Sequence, residues 1–128
     1  MSYKSWHKQH AIKHKKIMDK LAHLKDAEII DYFKYENMIK NEPDFCPLYK
    51  DGTKCHKLKE LNCYFCACPN FRVAEDRSFC DIDSKDGGII KTVDFTHQDC
   101  SKCTVPHIQS YVENHFQRDW SKAMNKTF

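Results

Sequence analysis

Between residues 5 and 24 the chain has no glycine or proline, and His7, His10, His14, Ile17, Leu21 and Leu24 recur at intervals of three and four. That spacing draws one stripe along a cylinder and predicts an amphipathic helix. Asp26 is placed to cap a second helix to about Lys40, with Ile29, Ile30, Phe33 and Met38 on its apolar side, unless both segments run on as one; Pro43 ends either. The helical period then stops. Lys85-Asp86-Gly87-Gly88 predicts a turn joining residues 79–83 to residues 89–95 in a short β-hairpin, although Ile90 and Val93 do not alternate cleanly. Pro106 suits a helix first turn, and Ile108, Tyr111, Val112, Phe116 and Trp120 repeat as one face of a C-terminal helix with His107 at its start. The pattern as a whole predicts an α+β fold: an N-terminal helical arm, an irregular core with a hairpin, and a C-terminal helix.

Composition narrows this picture. A chain of 128 residues is one domain by length, with 41% apolar residues to build a core. A mean hydropathy of −0.75 leaves no membrane-length apolar run. The opening MSYKSWHKQHAIKHKK lacks the apolar stretch of a secretion signal, so a cytoplasmic location is expected. The first 25 residues hold seven lysines and one acid, a charge of +6 in a chain whose total is +3. Residues 1–44 therefore read as a basic helical arm, and residues 45–128 as a mildly acidic, cysteine-rich domain ending in the C-terminal helix. Lysines on the arm offer phosphate contacts, and Tyr3 and Trp6 offer base stacking, so nucleic acid is one candidate partner. Solubilising a helix that docks through Ile17, Leu21 and Leu24 explains the same charge. His7, His10 and His14 are expected on a solvated face, and His23, His97 and His115 at structural or surface positions.

The chemistry lies in residues 45–107, which hold all eight cysteines. Their order is Cys46-x8-Cys55-His56-x6-Cys63-x2-Cys66-x-Cys68-Pro69, then Cys80, then Cys100-x2-Cys103-x3-His107. Two residues between cysteines let one tight turn aim both sulfurs at a single ion, so Cys63/Cys66 and Cys100/Cys103 each form half a site. His107 can join Cys100 and Cys103 as a third ligand. Cys63, Cys66 and Cys68 can share a centre completed by Cys46, Cys55 or Cys80, but the loops permit several pairings. Ten candidate ligands, the eight thiols with His56 and His107, suffice for two tetrahedral zinc ions, whereas one zinc leaves at least four thiols idle. An iron–sulfur cluster is the alternative, because clusters also take thiolate sets; Cys68-Pro69 matches the ending of ferredoxin runs without the rest of their pattern. Disulfides are the rival use of the cysteines. The missing secretion signal and the crowding of Cys63, Cys66 and Cys68 stand against them.

Residues 46–111 carry Leu61-Asn62-Cys63-Tyr64-Phe65-Cys66-Ala67-Cys68-Pro69 and Asp99-Cys100-Ser101-Lys102-Cys103-Thr104-Val105-Pro106-His107, and in these the chain resembles the bacterial and archaeal cysteine-rich small domain. The resemblance covers about half of the chain and implies a metal site without implying an activity; members of that family stand alone or are joined to other proteins, some of them cobamide-biosynthesis enzymes. The chain departs from the family in a longer Cys46–Cys55 interval, a longer segment between Cys68 and Cys100, and the added arm. No His-Glu-x-x-His helix, phosphate-cradling glycine run or serine elbow is present, so catalysis has no visible machinery. The expectation is a noncatalytic, two-zinc module that engages another protein and no membrane; the sequence leaves its oligomeric state open.

Overall fold

The computed structural model describes residues 3–82, 85–93, 95–100 and 102–128. Among these, five α-helices and two small antiparallel sheets make a mixed α+β fold. Helix α1 spans Tyr3–Lys20, and the chain leaves it in a turn in which the Leu24 N–H donates to the Leu21 carbonyl at 2.9 Å.

The segment expected to form the second helix divides into α2 (Asp26–Tyr32) and α3 (Tyr35–Asn41). Its cap is Lys25, one residue earlier than expected: the Lys25 N–H donates to Glu28 Oε1 at 3.1 Å. Asp26 lies in the first turn, where a carboxylate complements the helix dipole. The break between α2 and α3 has a tertiary cause. Extended residues 61–63 claim the backbone groups there: the Cys63 N–H donates to Phe33 O at 2.8 Å, and the Tyr35 N–H donates to Leu61 O at 2.9 Å. Buried peptide groups must be paired, and here the partner is a strand-like segment instead of the next helical turn. On its other edge the same segment meets the approach to the C-terminal helix, with the Asn62 N–H donating to His107 O at 3.0 Å. Residues 61–63 are the seam of the molecule.

Two hairpins follow. Strand β1 (Phe71–Val73) pairs with β2 (Ser78–Cys80), and β3 (Gly88–Lys91) pairs with β4 (Thr96–Asp99). The single hairpin expected about residues 85–88 is replaced by these two, because each expected arm finds a neighbour on its outer side; Asp83, which belonged to the first arm, lies outside the described residues. The hairpins join where the Gln98 N–H donates to Ser78 Oγ at 2.8 Å and the Thr96 N–H to Asp76 O at 3.0 Å. The C-terminal helix is also divided. Pro106 begins a short 3-10 turn, Val105–His107, that precedes α4 (Gln109–His115), so His107 stands before the helix instead of on its first turn. Phe116 is extended, and Asp119 then caps α5 (Trp120–Ala123) by accepting the Ser121 N–H at 3.1 Å.

The core forms where α1, α2 and α5 close over Phe33, Tyr64 and Phe65. His10 and His14 are buried in it, contrary to the expected solvated face. A flat imidazole packs like an aromatic ring: His14 stacks on Phe33 and Trp120 at centroid distances of 5.0 and 5.1 Å, and its Nε2 meets Tyr64 O at 3.2 Å. Burial lowers the pKa of His10 to about 4 and of His14 to about 3, so both are neutral at pH 7. Among the described residues no helix is long and apolar enough to cross a membrane.

Candidate metal centres

The seam leads directly into the cysteine knuckle. After Cys63 the chain turns so that the Cys66 N–H donates to Cys63 O at 3.2 Å and the Cys68 N–H to Phe65 O at 2.8 Å. Ala67 and Cys68 adopt φ values of 91° and 51°, a left-handed backbone that non-glycine residues rarely take and that a built site can hold in place. The reversal parts the sulfurs. Cys63 and Cys66 share the environment of Cys46 and Cys55, whereas Cys68 falls among Cys80, Cys100 and Cys103. Of the pairings that the sequence left open, these neighbours group Cys63 and Cys66 with Cys46 and Cys55, and Cys68 with Cys80.

The first set surrounds a cavity of about 50 Å³ lined by Cys46, Cys55, Cys63, Cys66 and His107. Cys46 precedes a 3-10 turn, Pro47–Asp51, which carries Tyr49 into the core; Gly52, at φ 64°, reverses the chain toward Cys55. The Tyr49 hydroxyl donates to Cys63 Sγ at 3.1 Å. Burial is the main cause that pushes the Cys63 thiol up to about 12, and burial with the neighbouring Cys63, Cys46 and Cys55 raises Cys66 further. These thiols are protonated unless a cation draws off the protons.

The rim of this set has a specific donor geometry. His107 Nδ1 lies 2.9 Å from Asn62 O, and a carbonyl can only accept, so Nδ1 carries the hydrogen and Nε2 is bare. His56 Nε2 lies 3.3 Å from Cys100 O and donates to it. The other nitrogen of each ring faces one sulfur: Cys55 Sγ is 3.2 Å from His56 Nδ1 and 3.7 Å from His107 Nε2. Burial lowers the pKa of His107 to about 4, so its Nε2 is a lone-pair donor near neutral pH. Cys55, His56 and His107 are the one set, among the described residues, whose ligand atoms all lie within 4.8 Å of one another. The carbonyl behind each imidazole is the orienting contact typical of metal-bound histidine. His107 faces Cys55, and it also lines the cavity shared by Cys100 and Cys103, the companions expected from the sequence.

The second set, Cys68, Cys80, Cys100 and Cys103, surrounds a larger cavity of about 210 Å³. Cys80 ends β2, Cys100 follows β4, and the Cys103 N–H closes a turn onto Cys100 O at 3.0 Å. Cys68 Sγ accepts from the Asn70 backbone N–H. Burial first, then the neighbouring thiols, pushes both Cys68 and Cys100 up to about 11. None of the described cysteines is in a disulfide. Tyr49 and Asn70 carried no sequence signal that marked them beforehand, and Asn62 was visible only as part of the cysteine motif; all three act through hydrogen bonds that only the folded chain defines. Compared with known proteins, the chain matches no family model, no curated sequence and no solved structure.

Proposed function

We propose that this chain is a noncatalytic metal-binding module with two separate sulfur-rich centres, the first of which holds zinc. The observation that carries the reading is the sorting of eight thiols, remote from one another in sequence, into two sets of four about two cavities. Zinc suits the first set because it takes thiolate and imidazole together in a small tetrahedral site, and Cys46, Cys55, Cys63, Cys66 and His107 supply four ligands with one to spare. His56 stands at the rim as the last candidate. The resemblance to the cysteine-rich small domain supports the same reading, and surplus ligands favour closed, structural coordination over an open catalytic position.

The module's partner in this reading is another protein, met through the exposed Ile82, Ile89, Ile90 and Val93 on and beside the β3–β4 hairpin. The nucleic-acid alternative has less support. Lys13, Lys15 and Lys20 bond to Asp44 O, Asp19 and Glu42, and Tyr3 and Trp6 already pack on Phe71 and His10. Metal analysis of the full chain purified without oxygen tests the proposal: bound zinc that is lost in Cys63→Ala, with a separate metal lost in Cys80→Ala, is the expected result. Protein that carries no metal, or a single metal released by both substitutions, overturns it.

A further inference from the structure

The two sulfur sets offer the same number of thiols around very different spaces, about 50 Å³ in one and about 210 Å³ in the other. A zinc ion bound at about 2.3 Å draws four sulfurs into a tetrahedron with edges of roughly 3.8 Å, which leaves no room inside. Cys68, Cys80, Cys100 and Cys103 all line the larger space. Their cavity is several times a single water's share of liquid volume, about 30 Å³. Tyr3, Trp6, Phe71 and Val105 give it apolar walls, His56, His107 and Gln98 are its polar lining, and among the described residues no Lys, Arg, Asp or Glu side chain reaches it. The Tyr3 hydroxyl donates to Ala67 O at 3.3 Å, pinning the start of α1 over the knuckle as one wall. Four thiols about a roomy, largely apolar cavity and an N–H directed at a ligand sulfur are features by which a protein holds an inorganic cluster and tunes it.

We propose that Cys68, Cys80, Cys100 and Cys103 ligate an iron–sulfur cluster of the four-cysteine class in this cavity, next to zinc in the first set. The inference rests on the two-centre reading and assigns the second centre. Each of the four thiols gives up its proton to solvent as its sulfur bonds to an iron; Tyr3, Trp6 and Phe71 keep water from the core, and the Asn70 N–H stabilises charge on Cys68 Sγ.

The test uses the full chain, purified without oxygen and, in parallel, incubated anaerobically with ferric iron, sulfide and a thiol reductant that converts part of the iron to ferrous. The expected product is brown, with iron and acid-labile sulfide in equal amounts and one zinc per chain. Cys80→Ala should lose iron, sulfide and visible absorption together and keep its zinc, while Cys63→Ala should lose zinc and keep the colour. Wild-type analysis decides the matter even if a variant fails to fold. Two zinc ions and no iron after both treatments overturn the cluster and leave the two-centre reading standing; absence of all metal overturns both.

Discussion

The molecule has an aromatic half and a sulfur half, and they are held by different forces. In the first, α1, α2 and α5 enclose Phe33, Tyr64 and Trp120 with the rings of His10 and His14, and Phe33 and Tyr64 are 0% exposed. That half is stabilised by apolar burial and ring contacts, which need no additional component. In the second, four strands of three or four residues are half-buried or exposed along most of their length, and Val93 at the β3–β4 turn is 101% exposed. Its two cavities each gather four thiols among apolar and polar neighbours. The contrast teaches that one chain can fold one half around hydrocarbon and gather its sulfurs in the other, and on the proposed reading that second half depends on what the sulfurs bind. Residues 61–63 connect the two, because their backbone pairs with Phe33 and Tyr35 on one edge and with His107 on the other.

Metal removal probes this contrast most strongly. A structural zinc site contributes on the order of 10 kcal/mol to a small fold, so a strong chelator should unfold residues 61–107, with a large loss of circular dichroism and a lower thermal midpoint. An unchanged midpoint in excess chelator would mean that the sulfur half stands unaided. Next in size, Phe33→Ala should cost about 3 to 5 kcal/mol in denaturant unfolding at saturating zinc, because it empties the centre of the aromatic half. A cost below about 1 kcal/mol would deny that half its role as the apolar core.

The seam gives a smaller and sharper effect. Asn62 Nδ2 donates to Ile30 O at 2.8 Å and to Gln109 Oε1 at 3.1 Å, while its Oδ1 accepts the Tyr64 N–H at 2.9 Å. Asn62→Ala leaves those groups unpaired and should cost about 2 to 3 kcal/mol, and competition with a chelating dye should register weaker zinc binding at the same time. Lost stability with unaltered zinc affinity would uncouple the halves. The smallest effect is set by pH. His10 and His14 have folded pKa values of about 4 and about 3, below the unfolded value near 6.5, so the unfolded chain binds more protons between these limits. Stability should therefore fall as pH drops below 6.5, by about 1 kcal/mol per histidine between pH 7 and pH 5.5. His14→Gln should remove one share of that dependence, read from urea midpoints at the two values; an identical pH slope in the variant would place His14 outside the buried set.

Much of the helical half was legible in sequence. The three-and-four spacing of His7 through Leu24 located α1, because a helix repeats its faces whatever it packs against. The same periodicity ran through Phe33 and through Phe116, where the real helices break. Those breaks come from hydrogen bonds to residues far along the chain: Cys63 and Leu61 take up the peptide groups at Phe33 and Tyr35, and the Tyr64 hydroxyl donates to Gln117 O. Local pattern carries no trace of such partners. The histidine stripe was visible as a stripe, but its burial was not, since imidazole is polar in composition and aromatic in packing.

The sequence by itself determined which atoms are available for chemistry: eight sulfurs, four of them set in two pairs with two residues between partners by turns that any chain can make, and two imidazoles placed near them. Only the tertiary structure decided which sulfurs are neighbours. That choice depends on the left-handed turn at Ala67, which sends Cys66 and Cys68 in different directions, and on strands that bring Cys80 and Cys100 to the same cavity. The physical reason is range. A two-residue spacing constrains its own pair of sulfurs within one turn, whereas partners tens of residues apart are joined through loop closures and backbone hydrogen bonds that no short motif encodes.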